Sequence, residues 1–141
     1  MAKKAKPAGR LKTAVPDRPI KPGRSSRVSL FGEHVMQLTM RGVNYGLDDV
    51  LKDHIERRLR FALGRFAARI QRLTVRLTDV NGPRGGLDKR CRIAVALVPR
   101  GMVMVEGSGD DPFALVAGAA KRAGRAVRRE LERRRGRNLR V

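Results

Sequence analysis

Arg122, Arg125 and Arg129 recur at i, i+3 and i+7, which places three guanidinium groups on one stripe of a helix. Arginine's planar fork matches the oxygens of a phosphate, so such a stripe suits a nucleic-acid backbone. Arg128, Arg133, Arg134 and Arg135 widen it, and across residues 121–135 eight basic residues meet only Glu130 and Glu132. Pairing along the same helix therefore leaves most of this charge unmatched. Arg57, Arg58, Arg65 and Arg69 form a second basic surface, where Asp53 and Glu56 can pair with Arg57 and Arg60. Arg90 and Arg92 add a lesser pair on a strand.

Other chemistries lack their partners. His34 and His54 lie far apart and Cys91 is the one cysteine, so no zinc-ligand spacing exists. Cys91 falls on the apolar side of a predicted strand, where a buried, inert thiol is expected. The glycine-rich stretch 81–86 lacks the Gly-Lys-Ser/Thr ending of a phosphate-binding loop and precedes a strand, so it reads as a turn. Asp111 is better explained as a helix cap than as half of an acid–base pair with Asp110. The chain is therefore expected to bind rather than catalyse, with no cofactor, metal or small-molecule substrate. Phe61, Phe66 and Phe113 are expected in or near the core, leaving Tyr45 and Phe31 as poor stacking candidates. Recognition of structured RNA by shape and backbone follows from that placement.

The elements that must carry these residues begin near Met36. Met36, Leu38 and Met40 alternate with polar residues and predict a half-buried strand. Asp48 predicts an N-cap, and Leu51, Ile55, Leu59, Leu63 and Phe66 lay an apolar stripe along a helix over about 48–67. Leu73, Val75 and Leu77 predict a second strand, Cys91 to Leu97 a third and Met102 to Glu106 a fourth. Asp111 followed by Pro112 opens a last helix, expected to persist to about Arg134 and to fray over 136–141. The order β-α-β-β-β-α implies an α+β two-layer sandwich, with both helices on one face of a four-stranded sheet.

Residues 1–35 read differently. They hold Pro7, Pro16, Pro19 and Pro22 and little apolar periodicity, and are expected to be a basic, disordered extension. Lysine is common there, whereas arginine dominates the body over 36–135. The whole chain of 141 residues carries a formal charge of +20, so a polyanionic partner is the natural expectation. One cysteine, no apolar run long enough to span a membrane and no secretory h-region point to the cytoplasm.

Over about 36–135 the body resembles the ribosome hibernation promoting factor family, the ribosome-associated translation inhibitors. The marks are Met36-Gln37-Leu38 leading to Arg41-Gly42, the Leu51, Ile55, Leu59 and Phe66 helix, Ile70, and Val75-Arg76-Leu77. The last mark is Asp111-Pro112-Phe113-Ala114-Leu115-Val116 opening the final helix. There the family typically continues to a second Asp, which is Ala117 here. Basic positions common in that family helix fall on Arg122, Arg125 and Arg129. The resemblance implies a fold like double-stranded-RNA-binding domains and docking on small-subunit ribosomal RNA where mRNA and tRNA pass. Translation would be blocked sterically, in competition with tRNA and mRNA, by a protein monomeric off the ribosome. Long members add a C-terminal dimerisation domain, so this chain is not expected to pair ribosomes by itself. A general structured-RNA or DNA binder, or a module whose basic faces meet an acidic protein, are the alternatives.

Overall fold

A computed structural model describes residues 25–31, 34–80 and 89–139 of the chain. Five strands and two helices are formed among them: β1 (Ser25–Phe31), β2 (His34–Val43), α1 (Asp49–Leu63), β3 (Ile70–Asp79), β4 (Lys89–Leu97), β5 (Met102–Gly109) and α2 (Pro112–Leu139). The expected two-layer α+β order holds, with one strand added at its start. The glycine-rich stretch 81–86 lies outside the described residues.

The caps form where side-chain chemistry calls for them. Asp48 accepts a hydrogen bond from the Leu51 backbone N–H at 2.8 Å, satisfying one free donor of the first turn of α1. Asp111 does the same for the Phe113 N–H at 3.0 Å, and Pro112 opens α2, where its missing N–H costs nothing. After Leu63 the chain tightens into a 3-10 segment, Gly64–Arg69, which delivers it into β3. Because β2 and β3 are parallel, a crossover is required, and α1 with this segment supplies it.

The sheet runs in the order β1-β2-β3-β4-β5, with every pairing but β2–β3 antiparallel. Register places Leu38 beside Leu73 and Val95, and Met40 beside Val75 and Ile93. These side chains are buried, and with Leu51, Ile55, Leu59 and Leu63 of α1 and Val116, Ala120, Ala123 and Val127 of α2 they make one core. Each buried Leu or Ile contributes roughly 1.5–3 kcal/mol. Alternate strand positions point away from the helices, so the opposite sheet face is open, as expected for helices on one side.

Two expectations are corrected. Within the segment 1–35, expected to be without structure, Ser25–Phe31 forms β1 and pairs along β2 from Ser25↔Met40 to Phe31↔His34. Phe31 is fully buried, with the Arg60 guanidinium 6.0 Å from its ring centroid. Phe31 thus ties β1 into the core, and β1 covers an edge of β2 that would otherwise be unpaired. Residues 1–24 lie outside the described residues. At the other end, α2 continues to Leu139 where fraying was expected beyond about Arg134. Glu130 accepts from both Arg133 and Arg134, and Arg134 donates to the Arg100 carbonyl at 2.7 Å, so the last turns are held from within and from the β4–β5 loop.

Candidate nucleic-acid interface

A groove between α1 and α2 begins with the absence of a side chain. At Gly124 a Cβ would lie 2.9 Å from the Ala62 carbonyl oxygen, so the helices meet at a glycine against an alanine. Longer side chains on either side stand along the seam. Arg58 and Arg65 come from the α1 side, with Lys121, Arg125 and Arg128 from α2, lining a cavity of about 610 Å³ with no acid among its lining residues. A second compartment of about 430 Å³ shares Arg65 and Arg128 and adds Arg69, Arg134, Arg135 and one acid, Glu132. Arg128 lies 3.9 Å from Glu132, an exposed contact worth little. Converging like charges in a concave, partly apolar wall focus a positive field into the groove. Aromatic rings help to hold the guanidiniums: Arg65 sits 5.0 Å from the Phe66 centroid and Arg58 5.8 Å from that of Phe61. The Nε of Arg58 is buried without a hydrogen-bond acceptor.

The residues chosen from sequence divide between different surfaces. Arg58, Arg65 and Arg125 line the groove, whereas Arg57 and Arg129 are exposed outside its lining. Arg122 donates to the Glu106 carbonyl at 2.7 Å and so fastens α2 to β5. Arg90 and Arg92 stand on the open face of the sheet, away from the helices. Lys121 was missed as a groove residue, and Arg128 stood only as a flanking position. The 121-125-128 spacing is as helical as 122-125-129, and one residue of phase is about 100° around the axis. Periodicity therefore defined a basic side of α2 but not which part of it meets α1. Phe61 is a correction as well: expected in or near the core, it is 84% exposed and lines the groove.

The open sheet face carries its own arginines. Cross-strand register aligns Arg41, Arg76 and Arg92 in one row that ends at Glu106. Arg92 pairs with Glu106 at 2.6 Å. Arg90 stands in the next row on one side, while on the other the row ending at half-exposed Met104 separates the arginine row from that of Arg72 and half-exposed Met102. Like charges directly opposite on neighbouring strands are unfavourable unless something between them is negative.

The remaining reactive groups have structural work. Burial pushes the Cys91 thiol up to about 12, against a smaller lowering by Arg122, which leaves it protonated and inert at neutral pH. His54 shares a hydrogen bond of 3.0 Å with the Phe113 carbonyl and stacks edge-on against that ring, joining α1 to the start of α2. No cluster of three metal-ligating side chains exists among the described residues, and no helix there is long and apolar enough to cross a membrane.

Comparison with known proteins places this architecture. The family model described as sigma 54 modulation protein / S30EA ribosomal protein matches residues 38–135. Solved structures match as well, among them the Thermus thermophilus Protein Y N-terminal domain, at 28% identity and a TM-score of 0.52. That match covers 62% of this chain and 90% of the Thermus chain. No match was found among curated protein sequences.

Proposed function

This chain belongs to the sigma 54 modulation protein / S30EA ribosomal protein family, and from that premise we propose that it binds small-subunit ribosomal RNA through the groove between α1 and α2. The family resemblance read from the sequence is thereby borne out, and membership supports an association with the ribosome and with the control of translation. Our reading goes further. Arg58, Arg65, Lys121, Arg125 and Arg128 contact RNA phosphates, and the bound domain occupies the path of mRNA and tRNA and blocks translation sterically. The observation that carries it is the convergence of five cations from α1, the 3-10 segment after it and α2 on one groove whose lining contains no acid. Such a surface recognises a folded polyanion by the spacing of its phosphates and needs no reaction.

Co-sedimentation of the full chain with purified small subunits and with generic duplex RNA, across a salt series, tests the reading. Each phosphate contact contributes a slope of about −0.7 to −0.9 in log affinity against log salt. Retention on subunits at a salt concentration that releases duplex RNA, with displacement by tRNA, is the expected result. A second reading, a general structured-RNA or DNA binder, is favoured by the arginine rows of the open sheet face, which suit any polyanion. Simultaneous release from subunits and duplex would make it the better account.

A further inference from the structure

The chain has five aromatic residues, four Phe and one Tyr, and four of them are occupied. Phe31 is fully buried, Phe66 packs partly buried against the core, and Phe113 meets His54 with ring centroids 4.9 Å apart. Tyr45 packs partly buried against the core, with the Lys89 ammonium 5.7 Å from its ring. Phe61 differs from all of these, being 84% exposed. A solitary exposed apolar residue ordinarily needs no account. This one stands inside the basic groove, one helical turn from both Arg58 and Arg65 and across the seam from the cations of α2. The Arg58 guanidinium carbon lies 5.8 Å from the ring centroid, and the buried Nε of the same side chain has no hydrogen-bond acceptor.

We propose that Phe61 is a stacking platform for an unpaired nucleobase, so that the groove takes RNA where a paired stretch meets an unstacked nucleotide. The proposal rests on the RNA-binding reading above and narrows its ligand. A continuous duplex keeps its bases stacked inside and offers the groove only phosphates and riboses, leaving Phe61 against a sugar edge or water. A bulged or single-stranded nucleotide lets its base turn out onto the ring while its flanking phosphates stay on Arg65, Arg125 and Arg128. Stacking is sequence-tolerant, because every base has a π-face, so Phe61 selects for an accessible base rather than for a particular one. The Arg58 guanidinium beside the ring is placed to donate to the base or its phosphate.

The chain contains no tryptophan, so Phe61→Trp creates a unique fluorophore at this position in the full-length protein. Two RNAs are compared, a fully paired duplex and the same duplex with one bulged 2-aminopurine nucleotide. Phe61→Leu is expected to weaken binding to the bulged RNA by about 10-fold while leaving the paired duplex nearly unchanged. Phe61→Trp should restore affinity for the bulged RNA, and its emission should be quenched by that RNA and not by the duplex. Unaltered binding of both RNAs by Phe61→Leu, equal losses on both, or an indifferent tryptophan would each overturn the stacking role. The double variant Arg125→Glu/Arg128→Glu separates the two readings, because it should lose both RNAs whatever Phe61 does. If that variant binds normally, the groove is not the RNA site and the broader reading falls with the narrower one. If it fails to bind while Phe61→Leu behaves as wild type, only the stacking role falls.

Discussion

The helical groove and the open face of the sheet are both rich in arginine, and they hold it in different ways. In the groove, cations from α1, the 3-10 segment after it and α2 converge on a concavity, and an exposed ring lies among them. On the sheet, Arg41, Arg76 and Arg92 stand in a row about 4.8 Å apart from strand to strand, and Glu106 already neutralises its end. A concave surface adds the fields of its charges at one place, whereas a flat row spreads them into solvent that screens each one. Net charge alone thus marks this protein as a polyanion binder without saying where the polyanion lies. The difference in shape is what favours the groove.

The largest effect should come from reversing groove charge. Arg125→Glu/Arg128→Glu is expected to reduce RNA affinity on the order of 100-fold, measured by filter binding at fixed salt, with a native circular dichroism spectrum. The matched pair on the other face, Arg41→Glu/Arg76→Glu, should cost less than about 5-fold, since charges spread along a flat face do not add their fields at one place. Equal losses from the two faces would break the comparison and mean that the domain grips RNA from both sides.

Next comes the helix contact that shapes the groove. Gly124→Val puts side-chain atoms against the Ala62 carbonyl, and should lower stability by roughly 1–3 kcal/mol in urea unfolding. It should also weaken RNA binding through the widened seam. Unchanged affinity in a destabilised protein would show that the spacing of the helices is irrelevant to recognition. Arg122→Ala probes the opposite flank of α2, where the side chain holds the Glu106 carbonyl. Its expected cost is about 1 kcal/mol of stability with RNA binding largely retained. A large loss of binding from Arg122→Ala would return this residue to the interface.

The smallest effect concerns pH. Hydrogen bonds from Arg133 and Arg134 hold the Glu130 carboxyl below its usual 4.5. A carboxylate more acidic in the folded state contributes stability that is present above the unfolded value and lost as pH falls through the depressed one. Helicity of the last turns of α2 should therefore fall slightly as pH drops below about 4.5, and Glu130→Gln should remove that pH dependence. An identical acid titration in wild type and variant would show that the clasp contributes nothing there.

Much of this molecule was legible in one dimension. Asp48 and Asp111 announced their helices because a cap is satisfied within three residues, and Leu51, Ile55, Leu59 and Leu63 announced a buried face because the period of a helix is local. Strand alternation likewise foretold that Leu38, Val75 and Ile93 would share one side of the sheet. Together with the order of these elements, such local signals were enough to resemble a family. Position relative to other elements is not a local property. Ser25–Phe31 alternates only briefly, at Val28 and Leu30, and becomes β1 because the edge of β2 is there to pair with it, with Phe31 buried in the core. Phe61 lies off the Leu51-Ile55-Leu59-Leu63 stripe of α1 and is exposed, whereas Phe66, carried on the 3-10 segment beyond α1, is seated partly buried against the core. The packing of α2 against α1 and the sheet turns Lys121 and Arg128 toward the groove and gives Arg122 to the Glu106 carbonyl. Amino-acid type and spacing determine which faces a helix possesses. Only the packing of one helix against another decides which face is buried, which is open, and which cations converge.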